Sequence, residues 1–140
     1  MNIAIVIHFF HDDSIDEILN VYSTALRSGI DIYISVSPDK SLLVKSLFPR
    51  ANLGVFPNQG YDILPFLRIV NKFNLYKYDF IIKLHTKNLS QNYSKRMLKI
   101  YFERLCSPSF LNKTLSRYFK ENKDVGLISA LEFCRSLDSL

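Results

Sequence analysis

The opening stretch of the chain, residues 2–8 with the sequence NIAIVIH, constrains the fold more than any other segment. It is a continuous run rich in Ile and Val, without the alternation of a strand that has one face in water. Such runs are typical of strands buried on both faces of a parallel sheet. The run lacks the features of a signal peptide and is too short to span a bilayer. We therefore expect an α/β fold that covers this strand on both sides.

Strand-like and helix-like segments alternate along the rest of the chain. The further predicted strands lie at residues 31–36, 52–56, 78–84 and 125–131. The predicted helices lie at residues 15–26, 42–48, 63–73 and 94–122, the last with a break at 107–109. Such alternation implies parallel pairing with right-handed crossovers. For a chain of 140 residues, we expect a single domain with an open, mostly parallel, Rossmann-like sheet and helices on both faces.

Local signals predict where two of these helices begin. Asp13 or Ser14 is expected to cap the helix that starts near Ile15, because short polar side chains accept hydrogen bonds from first-turn amides. Gly29 is expected to end that helix. The stretch HFFHDDS could instead supply imidazole and carboxylate ligands to a metal, but the cap is favoured. Asp62 is a candidate cap for the helix that follows it.

Charge and cysteine content limit the partners. Residues 1–70 carry a net charge of −2 and residues 71–140 a net charge of +7, which suggests an anionic partner unless the cations only solvate helix surfaces. A sugar-nucleotide diphosphate and an anionic membrane surface are candidates. Nucleic acid is not expected, because no recognised binding motif is present and the Phe and Tyr residues resemble core residues. Cys106 and Cys134 lack metal or redox spacing, which favours reduced thiols and a cytoplasmic location.

Polar side chains collect where three of the predicted strands end. These residues are His8 and His11 after the first strand, Asn58, Gly60 and Asp62 after the third, and His85, Thr86 and Lys87 after the fourth. Open parallel sheets bind ligands beyond the carboxyl ends of their strands. The clustering therefore predicts a ligand site at this edge, although His8 alone could be a hydrogen-bonded core imidazole.

Two segments at this edge stand out. The stretch NQGYD at 58–62 has the composition of a turn before a helix, where backbone N–H groups suit a phosphate and Gly60 permits close approach. An ordinary turn is the alternative. The stretch KLHTK at 83–87 puts two cations and an imidazole at the end of a buried strand, a combination suited to a diphosphate. Strand alternation would place Lys83, His85 and Lys87 on one side, unless they only point into solvent.

The two segments together resemble the rhamnan synthesis protein F family, whose members are glycosyltransferase-related proteins of bacterial polysaccharide and lipopolysaccharide assembly. The shared pattern is Asn-x-Gly-x-Asp, a Pro-Phe helix, and a strand ending Lys-x-His-Thr-Lys. Its residues here are Asn58, Gly60, Asp62, Pro65, Phe66, Lys83, His85, Thr86 and Lys87. A first strand that reaches His8 extends the similarity over nearly the whole chain.

The resemblance implies a GT-A-like domain that binds a nucleotide-diphosphate sugar, for example dTDP-rhamnose, and serves a glycan or lipid-linked acceptor. Peripheral contact with the inner membrane face is a further implication. The implied donor-binding residues are His8, Asn58, Gly60, Asp62, Lys83, His85, Thr86 and Lys87. GT-A enzymes hold a divalent metal such as Mg or Mn with an Asp-x-Asp motif at the strand end where this chain has His85-Thr86-Lys87. His85 and Asp62 are therefore the candidate metal ligands, or fixed cations replace part of the metal's role.

The chain departs from the family pattern in ways that favour a second hypothesis. Gln59 and Tyr61 occupy positions where the family usually has Arg. The sequence also identifies no catalytic residue and no acceptor-binding half. The chain could therefore be a truncated, non-catalytic binding or partner domain of a polysaccharide assembly system rather than a complete transferase.

Overall fold

Four parallel strands form the centre of the computed structural model, which describes residues 2–88 and 92–125. The strands are β1 (Ile3–Phe9), β2 (Asp31–Val36), β3 (Asn52–Val55) and β4 (Phe80–His85). The helices are α1 (Ile15–Arg27), α2 (Ser41–Leu47), α3 (Ile63–Lys72), α4 (Asn92–Leu105) and α5 (Leu115–Glu121). A π-helical turn at Phe110–Thr114 precedes α5.

The strand order in the sheet is β3-β2-β1-β4, and all three pairings are parallel. β1 therefore lies between two neighbours, and Ile7 pairs with Ile34 on one side and with Leu84 on the other. The chain first moves outward from β1 through β2 to β3 and then crosses back to β4. This reversal creates a switch point between the carboxyl ends of β1 and β4, where open α/β sheets bind ligands.

Each face of the sheet is covered by helices. Ile5, Ile7 and Phe9 of β1 belong to a core cluster that includes Ile18 and Val21 of α1. Ala4 and Val6 point to the other face, where Ile69 and Val70 of α3 pack. Burial of each large aliphatic side chain stabilises the fold by about 1.5–3 kcal/mol. This two-sided burial explains the unbroken apolar sequence of β1 and confirms the predicted α/β, Rossmann-like, open parallel sheet.

The element boundaries agree with the sequence predictions to within a few residues, and the predicted break at 107–109 separates α4 from α5. Gly29 follows α1 with a φ of 65°, as expected for a glycine that ends a helix. The predicted fifth strand at 125–131 lies, apart from Val125, outside the described residues. Where the structure describes the chain, no helix is both long enough and apolar enough to cross a bilayer.

The helix-cap predictions for Ser14 and Asp62 are confirmed in position but not in bonding. Ser14 is the N-cap residue of α1 and Asp62 that of α3, but neither side chain makes a capping hydrogen bond. Asp13 lies within the 3-10 turn Asp12–Ser14 that precedes α1. Ser14 and Asp62 instead bond to residues at the end of β4, because the fold brings that strand next to both turns.

Cys106 is a buried, unpaired thiol among the described residues. Burial raises the pKa of this thiol to about 12, because the thiolate would lose its hydration. Such a thiol is chemically inert at neutral pH, which fits the structural role expected for it.

Candidate functional site

A cavity of about 550 Å³ lies at the switch point between β1 and β4. His8 and His85, the last polar residues of these strands, are register partners, so their backbones run side by side into the cavity wall. The predicted donor-binding residues that line it are His8, Asn58, Gly60, Asp62, His85, Thr86 and Lys87. Phe10, His11, Gln59 and Tyr61 also line it. Lys83 is the one predicted residue that does not, and its contact is with Asp62.

Thr86 holds the loop after β1 in place. It is 3% exposed, and its Oγ1 accepts hydrogen bonds from the backbone N–H groups of Phe10 and His11, both at 2.8 Å. Its own backbone N–H donates to the carbonyl of His8 at 3.0 Å, which extends the β1–β4 pairing by one residue. The hydroxyl of Thr86 is therefore committed to the backbone and shapes the cavity wall.

Ser14 makes a second link between the same two loops. Its hydroxyl donates to the carbonyl of Lys87 at 2.8 Å, and its oxygen accepts from the Lys87 N–H at 3.1 Å. Ser14 is fully buried, so these bonds are shielded from water. These two hydrogen bonds fix the backbone of Lys87 at the point where the residue lines the cavity.

Asp62 forms an ion pair with Lys83 and lies beside His85. Its Oδ2 accepts from Lys83 Nζ and is 3.6 Å from His85 Nδ1. Burial acts to raise the pKa of Asp62, but the hydrogen bond and charge of Lys83 outweigh it and hold that pKa below its ordinary value. Asp62 is thus ionised at neutral pH, and Lys83 largely compensates its charge.

His85 is neutral at physiological pH. Burial and the positive charge of Lys87 together lower its pKa to about 4, although Asp62 acts in the opposite direction. The 3.6 Å contact with Asp62 is therefore a contact of a neutral imidazole and not a salt bridge. A neutral ring offers a ligand one hydrogen-bond donor and one acceptor.

His8 is both a core residue and a wall of the cavity. It is 9% exposed, and its Nδ1 lies 3.0 Å from the hydroxyl of Ser35 on β2. Burial lowers its pKa, which Asp62 partly opposes, so this imidazole is also neutral. His8 is therefore the hydrogen-bonded core imidazole that the sequence allowed, and its contact with a ligand stays a prediction.

Lys87 is the principal cation of the cavity. In residues 2–88 and 92–125, its ammonium group has no carboxylate partner, in contrast to Lys83. Its charge acts on His85, which shows that the two side chains are close. Lys87 thus offers an anion a positive charge that is not already neutralised.

The turn before α3 forms the opposite wall. Gly60 has a φ of 70°, and a Cβ at this position would come within 2.5 Å of Leu64 Cβ, so only glycine fits. The N–H of Leu64 donates to the Gly60 carbonyl at 3.2 Å, and Pro65 has no N–H. Neither Leu64 nor Pro65 therefore offers a free backbone donor, and phosphate binding by the other amides of the NQGYD turn stays a prediction.

Two predicted metal ligands, His85 and Asp62, are neighbours in the cavity, and Lys83 already bonds to Asp62 Oδ2. No group of three His, Cys, Asp or Glu side chains suited to a metal occurs in the part of the chain that the structure describes. Proteins can hold Mg²⁺ with one or two carboxylates together with the phosphates of a substrate. A metal held by His85 and Asp62 together with a bound diphosphate therefore stays a prediction.

Sequence reasoning missed the supporting residues Ser14 and Ser35. Ser35 interrupts the apolar run of β2, and this polar position was a signal that could have identified it. Ser14 gave only the signal of a helix cap, because its partner lies 73 residues away. Long-range partners of this kind depend on strand order, which local sequence does not encode.

The geometry defines the class of protein as a Rossmann-like domain with a polar cavity at its switch point. The sequence model of the family described as "Rhamnan synthesis protein F" matches residues 1–133. The chain belongs to this family, which places it in rhamnan or related polysaccharide synthesis.

Two relatives are both called "Uncharacterized protein WxcX" and come from strains B100 and ATCC 33913 of Xanthomonas campestris pv. campestris. Each is 30% identical to this chain over 87 residues, which is 60% of this chain and 12% of the relative. The match therefore spans about one eighth of the length of these curated relatives. No solved structure matches the chain.

Proposed function

We propose that this chain binds a nucleotide-diphosphate sugar as the donor-binding part of a glycosyltransferase in polysaccharide synthesis. The observation that carries the proposal is the switch-point cavity, which joins Lys87 to two neutral imidazoles, His8 and His85. Family membership supports the biological context. A rhamnosyltransferase that uses dTDP-rhamnose is the specific form of the proposal, with a glycan or lipid-linked glycan as the acceptor.

The diphosphate in this proposal lies against Lys87. A charge-assisted hydrogen bond from an ammonium group to a phosphate is about twice as strong as a neutral one. It also stabilises the negative charge that develops on the leaving diphosphate during sugar transfer. Lys83 is less suited to this role, because Asp62 already neutralises it and it does not line the cavity.

The uncharged polar groups of the cavity suit the sugar and ribose hydroxyls. His8 and His85 each offer a donor and an acceptor, and the Asn58 amide has no hydrogen-bond partner within residues 2–88 and 92–125. Hydroxyl groups also donate and accept, so they pair well with imidazole and amide groups.

The net charge of +7 over residues 71–140 supports a cytoplasmic position close to the anionic inner membrane face.

Calorimetric titration with dTDP-rhamnose, dTDP-glucose and UDP-glucose tests the proposal. We expect the wild type to bind at least one donor, and Lys87→Ala to weaken that binding about tenfold or more. Lys120→Ala, at an exposed lysine of α5, is the matched control and should bind as the wild type does. Absence of binding by the wild type, or equal loss in both lysine variants, would overturn the proposal.

A binding domain without catalytic activity is the second candidate, and Asp62 is the observation that favours it. Among residues 2–88 and 92–125, Asp62 is the one carboxylate that lines the cavity, and Lys83 lowers its pKa and occupies its Oδ2. A carboxylate held in this way is a weak general base. This candidate predicts donor binding without turnover, so detectable sugar transfer or donor hydrolysis by the chain would exclude it.

A further inference from the structure

Tyr61 has an unusual conformation at the rim of the cavity. Its φ is 52°, in the left-handed region that tyrosine rarely adopts, and it directly follows Gly60 with a φ of 70°. Its side chain nevertheless lines the cavity while 90% of it is exposed. Two successive left-handed residues turn the chain sharply before α3 begins at Ile63.

Packing within the described part of the chain does not explain this conformation. A bulky residue in the left-handed region costs about 1 kcal/mol or more, and it persists where surrounding structure enforces it. A buried ring would offset that cost through apolar contacts, but the ring of Tyr61 is almost fully in water. Strained residues of this kind concentrate at ligand sites, where they hold a group ready for contact.

Tyr61 and the cation of the cavity come from different segments of the chain. Lys87 and His85 lie at the end of β4, whereas Tyr61 lies on the turn before α3, and all three residues line the cavity. The amides of Asn58 and Gln59 belong to that turn, and Arg68 donates to the Gln59 Oε1 at 3.4 Å. The cavity therefore combines a cation for phosphates with an exposed aromatic residue and two amide groups.

We propose that Tyr61 is the stacking platform for the nucleobase of the donor, with the amides of Asn58 and Gln59 near the edge of the base. This inference rests on the proposed function, because it assigns the base of the same nucleotide that Lys87 binds through its phosphates. A planar base and an exposed phenol ring stack in offset geometry, and such stacking tolerates different bases. Tyr61 is then a specificity-determining residue for nucleotides over simple phosphates.

The experiment measures the affinities of dTDP and inorganic pyrophosphate by calorimetry for the wild type and three variants. Tyr61→Asn removes the ring but tolerates the left-handed backbone, and Tyr61→Phe keeps the ring. We expect Tyr61→Asn to weaken dTDP binding about 5- to 150-fold and to leave pyrophosphate binding unchanged. Tyr61→Phe should bind both ligands as the wild type does, and Lys87→Ala should lose affinity for both.

The possible outcomes distinguish the two proposals. If the wild type and Tyr61→Asn bind dTDP equally, the stacking role is wrong and the proposed function stands. If Tyr61→Asn loses dTDP and pyrophosphate to the same extent, Tyr61 only shapes the turn and the stacking role is again wrong. A wild type that binds neither ligand overturns the proposed function together with this inference.

Discussion

The two ends of the parallel sheet each have a cavity lined by polar groups, but they use those groups differently. The amino end has a cavity of about 410 Å³ beside Asp31 and Tyr78. There the Tyr78 hydroxyl donates to Asp31 and lies 2.8 Å from the Tyr33 hydroxyl. Burial raises the pKa of Tyr78, and the hydrogen bond to the Asp31 carboxylate raises it further, because both favour the protonated phenol. These polar groups satisfy one another.

At the carboxyl end of the sheet, some of the polar side chains that line the cavity have no partner within the described residues. Thr86 and Ser14 use their hydroxyls to fix the loops, and Asp62 and Lys83 neutralise each other. The side chains of Lys87 and Asn58, in contrast, make no salt bridge or hydrogen bond within the described ranges 2–88 and 92–125. The two cavities therefore differ in the hydrogen-bonding and charge capacity that remains unsatisfied, and this difference, not their volume, is the ground on which we propose a binding site at the carboxyl end.

The largest expected effect is on the stability of the fold and concerns Thr86, whose hydroxyl fixes the loop after β1. Thr86→Val keeps the shape of the side chain but leaves the N–H groups of Phe10 and His11 without their acceptor. Each lost partner costs about 1–3 kcal/mol, so we expect the free energy of unfolding to fall by about 2–4 kcal/mol in urea denaturation. Thr86→Ser, which keeps the hydroxyl, should lose much less. Equal losses in both variants would show that the hydroxyl is not the supporting group.

The ion pair of Lys83 and Asp62 gives the next largest effect. Lys83→Gln leaves the ionised Asp62 without its cation, so stability should fall by about 1–3 kcal/mol. The uncompensated charge should also repel a diphosphate and weaken dTDP binding about tenfold. The double variant Lys83→Gln/Asp62→Asn should recover most of both losses. Strict additivity in denaturation and calorimetry would contradict this account of the pair.

The amino end is expected to affect stability without affecting binding. Tyr78→Phe removes the hydrogen bonds to Asp31 and Tyr33 and should lower the free energy of unfolding by about 1 kcal/mol. Calorimetry with dTDP should give the affinity of the wild type. A loss of affinity in Tyr78→Phe would break the distinction between the two ends, because it would couple the amino end to the ligand.

The smallest effect is a dependence of stability on pH. The folded pKa of His85, about 4, is below its ordinary value of 6.5, so the unfolded chain binds the proton first as pH falls. The contribution of the neutral ring is complete above pH 6.5 and is lost between pH 6.5 and 4. From pH 7 to pH 6, the loss is about 0.7 kcal/mol. Thermal denaturation of His85→Gln at the two pH values should show a smaller decrease than the wild type shows.

The sheet could be predicted from the sequence because burial determines which residue types occur along each strand. The Ile and Val run of β1 reflects two-sided packing directly, and the helices on either side follow from their spacing. The position of the cavity followed from the rule that parallel strands end at one edge. This rule alone predicts that His8, His85 and Lys87 lie together, and all three line the cavity.

The partners of individual polar groups were not predictable in the same way. Ser14 and Asp62 have the local context of helix caps, and only the position of β4 gives them stronger partners in Lys87 and Lys83. The alternation of β4 correctly put Lys83 and His85 on one side, since both reach Asp62 Oδ2. The alternation could not show that Asp62 would neutralise Lys83 while Lys87 would have no carboxylate partner among the described residues.

The pairing of β1 with β4 also determines when the cavity can form during folding. The two strands join residues nearly eighty positions apart, whereas β1 meets β2 after a much shorter loop. Contacts between distant positions form slowly, because the intervening chain must first lose its freedom. The cavity is therefore among the last features to appear as the chain folds or leaves the ribosome. A ligand of this cavity would bind only chains in which β4 had paired with β1. Ligand binding would therefore measure the fraction of chains that had completed folding.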